Sequence, residues 1–164
     1  MAEVIFRSPI GQDVTGPNLS ITDETDGPKT RVVGADLAGV TPGHARRNDS
    51  GLVYSTSPKE WTVLGGSVPA DMRSVDLTHV RAVIRLTGSD AKALLAKMCS
   101  LDFDDRMFPS GSVARTSVAN TTTEVVRDDE GGQTSYLLVA SRSFGEYLYG
   151  VLVDQAGEFG IGSH

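Results

Sequence analysis

Asp76, His79 and Cys99 are the residues of this chain from which nucleophilic chemistry could be assembled, because a thiol enzyme needs a nucleophile, a base and an orienting acid. Their settings argue against it. Cys99 closes an amphipathic helical stretch, where the helix dipole disfavours a thiolate, so it reads as a small buried hydrophobe. His79 follows Asp76 at the approach to a strand, and the pair reads as a histidine–carboxylate contact that fixes a turn. His44, His79 and His164 are too widely spaced to form a zinc finger or an i, i+4 ligand pair. Gly65-Gly66 and Gly131-Gly132 lack the following Lys-Ser/Thr of a phosphate loop, and no strand leads into a Gly-x-Gly-x-x-Gly turn. The acidic runs Asp102-Phe103-Asp104-Asp105 and Asp128-Asp129-Glu130 read as solvated loops. No catalytic, cofactor-binding or metal residue is therefore expected in this chain. Trp61, Asp76, His79 and Gly150 are the positions of structural or interface interest. Trp61 reads as a strand residue of the core, with an interface anchor as the alternative.

Charge and hydropathy narrow the classes further. With 15 Lys and Arg against 21 Asp and Glu, the net charge is −6, and the largest basic cluster is Arg46-Arg47. Such a chain has no stripe for tracking nucleic-acid phosphates. No segment approaches the roughly 20 apolar residues that cross a bilayer. Met1-Ala2-Glu3-Val4-Ile5-Phe6-Arg7 lacks the basic start and apolar run of a secretory signal. One cysteine excludes an intrachain disulfide framework. A cytoplasmic protein with neither a membrane nor a nucleic-acid partner is expected.

The elements that would position these residues are legible from Gly51 onward. Leu52-Val53-Tyr54 and Trp61-Thr62-Val63-Leu64 flank Ser57-Pro58-Lys59-Glu60, as two strands flank a proline turn. Val80 to Thr87 reads as a strand by its β-branched content. Ser89 is the expected N-cap of a helix whose apolar stripe is Ala91, Leu94, Leu95 and Met98. Strands are expected at Val113–Ala119, Thr122–Arg127 and Tyr136–Ala140. A second helix opens with Ser143-Phe144-Gly145-Glu146 as a capping box and carries Phe144, Tyr147, Leu148, Val151 and Leu152 as its apolar face. Gly150, inside that helix, costs about 1 kcal/mol relative to alanine and reads as a point of close backbone approach. The pattern is α+β: a small mixed sheet with two amphipathic helices.

Residues 1–50 read differently. Pro9, Gly11, Gly16, Pro17, Gly27, Pro28, Gly34, Gly39, Pro42 and Gly43 interrupt them too often for a long helix or a central strand. Val4-Ile5-Phe6, Leu19 with Ile21, and Val32-Val33 are short apolar anchors within this polar stretch. The expectation is an irregular, extended N-terminal arm over residues 1–50, pinned to another surface, ahead of a domain over residues 51–164.

Several short motifs follow one another in a specific order. They are Ser57-Pro58-Lys59-Glu60-Trp61, Asp76-Leu77-Thr78-His79, Met98-Cys99-Ser100-Leu101-Asp102, Phe108-Pro109-Ser110-Gly111, Ser141-Arg142-Ser143-Phe144 and Gly157-Glu158-Phe159-Gly160. Together they resemble the γ subunits of heterotetrameric sarcosine oxidases, small relatives of the folate-binding aminomethyltransferases (glycine-cleavage T-proteins). The resemblance implies an aminomethyltransferase-like α+β domain over residues 51–164. It also implies a partner set: a large α subunit as the main contact, with β and δ subunits. FAD, FMN, NAD and tetrahydrofolate would lie in those partners and none in this chain. The complex would demethylate sarcosine oxidatively to glycine, pass the one-carbon unit to tetrahydrofolate and release hydrogen peroxide.

One departure bears on the role of this chain. The aminomethyltransferases carry a glycine-rich hairpin followed by an aspartate that works on the amine or folate. The matching stretch here is Ala119-Asn120-Thr121-Thr122-Thr123-Glu124-Val125, with no glycine pair and only Glu124 as a distant substitute. The resemblance therefore implies a non-catalytic, structural subunit. The alternative is a free-standing folate-binding aminomethyltransferase-like protein.

Overall fold

The computed structural model describes residues 7–34, 37, 39–49 and 51–162. Among them run β1 (Val14–Thr15), β2 (Ser20–Asp23), β3 (Lys29–Val33), β4 (His44–Asn48), β5 (Gly51–Ser57), β6 (Glu60–Leu64), β7 (Ser74–Asp76) and β8 (Arg81–Thr87). Helix α1 (Ala91–Ala96), β9 (Val113–Val118), β10 (Thr121–Arg127), β11 (Ser135–Ser141) and helix α2 (Gly145–Ala156) complete the chain. The class is α+β. In place of one small mixed sheet there are two, and every strand pair is antiparallel. The first has the order β1-β2-β8-β11-β10-β9 and the second β4-β5-β6-β3-β7.

Strand β8 shows how sequence alternation builds the layers. Successive side chains of a strand point to opposite faces. Ile84 and Leu86 face the helices, where they pack with Ile21, Leu94, Leu138, Leu148 and Leu152. Val83 faces the second sheet and packs with Leu52, Tyr54, Val126 and Val139. The result is three layers: helices, first sheet, second sheet. A third apolar cluster, Val32, Val40, Val53, Trp61 and Val63, covers the far side of the second sheet. Burying a side chain such as Ile84 or Leu138, both 0% exposed, stabilises by roughly 1.5–3 kcal/mol.

The segment before Gly51 is not an irregular arm. It supplies β1 and β2 to the edge of the first sheet, β3 between β6 and β7, and β4 to the edge of the second. Its anchors are the reason: Leu19 and Ile21 enter the helix-side core and Val32 the outer core, while breakers sit between the strands. Val4-Ile5-Phe6 lies outside the described residues.

Both helices are found where expected, with different ends and, for α2, a different face. The N-cap position of α1 is Asp90, and that of α2 is Phe144; neither makes a side-chain cap. Ser143 sits in a 3-10 turn (Arg142–Phe144) and its hydroxyl bonds that of Ser141 instead, 3.1 Å away. The buried side of α2 is Gly145, Leu148, Tyr149, Leu152 and Ala156, while Phe144 and Tyr147 are each 51% exposed. The glycine that permits close packing is Gly145: a Cβ there would stand 2.7 Å from the Ala82 Cβ. Gly88 is tighter still, at φ +125°, where a Cβ would collide with the Asn18 carbonyl oxygen.

Candidate functional site

The sequence-derived trio does not converge. Cys99 is buried on the helix side of the first sheet, its Sγ 3.8 Å from the Thr116 hydroxyl. Asp76 ends β7, on the edge of the second sheet. Its carboxylate accepts the Thr78 amide at 2.8 Å, closing an Asx turn. The Thr78 hydroxyl and amide, with a smaller contribution from the charge of His79, hold the Asp76 carboxyl below its ordinary range. His44 bonds the Thr41 hydroxyl and the Pro42 carbonyl within its own turn. His164 lies outside the described residues. Among the described residues no group of three or more metal-ligating side chains is gathered. No described helix is long and apolar enough to cross a membrane.

Trp61 is a core residue: it is 7% exposed, and its indole donates to the Val40 carbonyl at 2.7 Å. That bond pins the loop after β3 over the outer core. Gly150 behaves otherwise. Among the described residues outside its own helix turns, a Cβ added there would meet nothing within 4 Å.

Glu124, on β10, is buried between the sheets at 3% exposure. The Tyr54 hydroxyl donates to it at 2.6 Å, and Arg31 lies 3.6 Å away. Burial first, then the adjacent Glu124 charge, pushes the Tyr54 phenol well up. A second polar network ties the layers at the other end of the sheets. Buried Arg85 reaches Glu24 at 2.5 Å, Asp128 at 3.2 Å and the Ser135 hydroxyl at 2.9 Å, and Arg47 closes on the same Asp128. This network borders a cleft of about 380 Å³, where Arg47 and Arg85 pair with Glu24 and Glu130 and the Lys29 ammonium is taken up by carbonyls. Arg127 likewise holds Asp105 and Asp129.

One site escapes this pattern of neutralised charge. Between the β9–β10 turn and the start of α2, Arg81, Arg115, Asn120, Thr122, Ser141 and Phe144 line a cleft of about 340 Å³ with no carboxylate on its wall. The adjoining outer face of α2 carries the exposed Tyr147 beside Gly150 and Val151. Sequence reading missed the cleft because Arg81 and Arg115 are 34 positions apart; only the strand order puts both on one cleft wall.

A family model for the sarcosine oxidase, gamma subunit family matches residues 54–158. The chain belongs to this family. A structure of heterotetrameric sarcosine oxidase from Corynebacterium sp. U-96, in complex with pyrrole 2-carboxylate, superposes with a TM-score of 0.75 at 20% identity, covering 93% of this chain and 91% of the other. The glycine cleavage system aminomethyltransferase T from Bartonella henselae superposes with a TM-score of 0.63 at 13% identity. That match covers 85% of this chain and 46% of the aminomethyltransferase. At these identities the two structures establish the fold. No curated protein sequence matches the chain. As a γ-family member, the chain keeps the motif order of residues 57–61 through 157–160 on turns and element ends: Pro58-Lys59 is the β5–β6 turn, and Gly157–Phe159 forms the 3-10 turn after α2.

Proposed function

We propose that this chain is a structural, assembly-forming subunit of a heterotetrameric sarcosine oxidase and carries out none of the redox chemistry itself. Its membership of the γ-subunit family over residues 54–158 carries the reading. In this reading α is its main contact, and β and δ complete the cytoplasmic complex. FAD, FMN, NAD and tetrahydrofolate belong to the partner subunits. The complex converts sarcosine to glycine, the one-carbon unit passes to tetrahydrofolate, and oxygen leaves as hydrogen peroxide. The state of Glu124 supports a non-catalytic role. A carboxylate that is buried and bonded to Tyr54 offers nothing to a pterin, so the residues here do not fit a folate site.

The test is co-expression of this chain with the other three subunits and purification through a tag on the largest. This chain is expected to co-purify, and omitting it should lower the yield of assembled oxidase. Purified alone, it should show no flavin absorbance, no sarcosine-dependent oxygen uptake and no saturable binding of a reduced folate. Saturable folate binding by the isolated chain would favour the free-standing aminomethyltransferase-like reading instead.

A further inference from the structure

Arg81 and Arg115 lie on the face of the first sheet that turns toward the second. Each alternates in step with a valine, Val83 and Val113, that packs against the β5 side chains Leu52 and Tyr54. The strand register places Ser141 opposite Arg81 and Glu124 opposite Arg115. That glutamate is already committed to Tyr54 and Arg31. Among the described residues neither Arg81 nor Arg115 has a carboxylate within salt-bridge distance, whereas Arg31, Arg47, Arg85 and Arg127 all do. The cleft wall adds the side chains of Asn120, Thr122 and Ser141, all able to donate hydrogen bonds. In a chain of net charge −6, a cleft lined by two guanidinium groups and no carboxylate suits an anion.

The cleft is continuous with an apolar surface. Phe144 stands on its wall at 51% exposure, and the Tyr147 hydroxyl donates to the Ala119 carbonyl at 3.2 Å, joining α2 to the β9–β10 turn. Beyond Tyr147 the open position at Gly150 leaves the helix backbone accessible. Glu146 and Asp154 border this surface and repel negative charge, so an occupant lying along α2 rests its apolar groups on Tyr147 and Val151 and carries its negative charge at the arginine end. A free small anion would use the arginines but not the helix face. We propose that the Arg81–Arg115 cleft and the outer face of α2 together seat an apolar segment of another oxidase subunit, whose carboxylate enters the cleft. This rests on the reading of the chain as an oxidase subunit.

Retention of this chain on the tagged large subunit of the co-expressed complex tests it. Combining Arg81→Gln with Arg115→Gln should lower retention about tenfold or more, while Arg106→Gln, at a remote exposed position paired with Asp104, should leave it unchanged. Thermal unfolding of each isolated variant shows whether it folds. Should the double variant unfold, Arg81→Lys with Arg115→Lys and the salt dependence of the wild type decide. Raising NaCl from about 50 to about 500 mM should weaken wild-type retention severalfold, since the pairs lie at a solvent-accessible interface. Retention indifferent to both arginines and to salt overturns the inference and leaves the subunit reading standing. Failure of the wild-type chain to be retained overturns the subunit reading and this inference with it. A third arm titrates the isolated chain with glutarate and with inorganic phosphate. Saturable stabilisation by either, absent from the double variant and accompanied by unchanged retention, would assign the cleft to a free anion and overturn the partner assignment.

Discussion

Lys29 is 1% exposed, and its ammonium donates to the carbonyls of Thr25, Gly27 and Thr78. Three protons meet three carbonyls, which anchors the β2–β3 loop to the turn after β7. Burial, with a smaller push from Arg142, draws its pKa below the usual lysine range. Lys29→Met keeps the length of the side chain and strands the carbonyls, so urea unfolding should show a loss of about 2–4 kcal/mol. Tyr54 shifts the opposite way, and Tyr136 and Tyr149 are also raised, chiefly by burial. A phenol raised in the folded state contributes stability that is present below its unfolded value of about 10 and lost as pH rises beyond it. For Lys29 the sign reverses: the unfolded chain holds a proton that the folded chain gives up more readily, so stability rises with pH just below the usual lysine value. Three phenols against one amine predict a net fall in melting temperature above about pH 10. Tyr54→Phe should flatten that fall and lower stability at neutral pH, because Glu124 then keeps Arg31 alone.

Helix α2 shows what one sequence can and cannot disclose about an element. Its location was legible from apolar spacing, but two faces offset by one residue satisfy that spacing. Phe144, Tyr147, Leu148, Val151 and Leu152 form one; Gly145, Leu148, Tyr149, Leu152 and Ala156 form the other and are buried. The large aromatics favour the first face on hydrophobicity. The second wins because Gly145 lets the helix settle on Ala82 of β8, a contact between positions 63 apart that periodicity does not contain. The hairpin of β5 and β6 was readable for the opposite reason, since its turn and both strands lie within 14 consecutive residues. The same distinction explains the site: Trp61 could be placed in the core from its strand, whereas the Arg81–Arg115 cleft exists only once β8, β9 and β11 are ordered in a sheet. Gly150 supplies the test at this scale. No described residue occupies the space beside it, so Gly150→Ala should stabilise the isolated protein by about 1 kcal/mol through helix propensity, read as a higher melting temperature.

At the scale of the whole molecule, the first sheet joins β1 and β2 from one end of the chain to β8–β11 from the other, and the second sheet takes β3 and β4 from the first fifty residues. Glycine and proline made the first fifty residues look irregular because they punctuate strands of two to five residues, each too short to show a pattern of its own. Their partners are distant: Ile21 pairs with Leu86, and Val32 with Trp61 on one side and Ser74 on the other. Removing residues 1–48 would therefore do more than free a tail. It would take Leu19 and Ile21 from the helix-side core and Val32 from the outer core. It would also strip β3 from between β6 and β7, leaving β7 unpaired and β6 with partners only on its β5 side. At roughly 1.5–3 kcal/mol for each of these three apolar side chains, the loss is comparable with the about 5–15 kcal/mol by which domains are stable, and the lost strand pairing adds to it. The truncated chain is expected to lack a cooperative thermal transition and dispersed amide resonances. A cooperative transition from residues 49–164 alone would show that the first four strands decorate the fold without completing it.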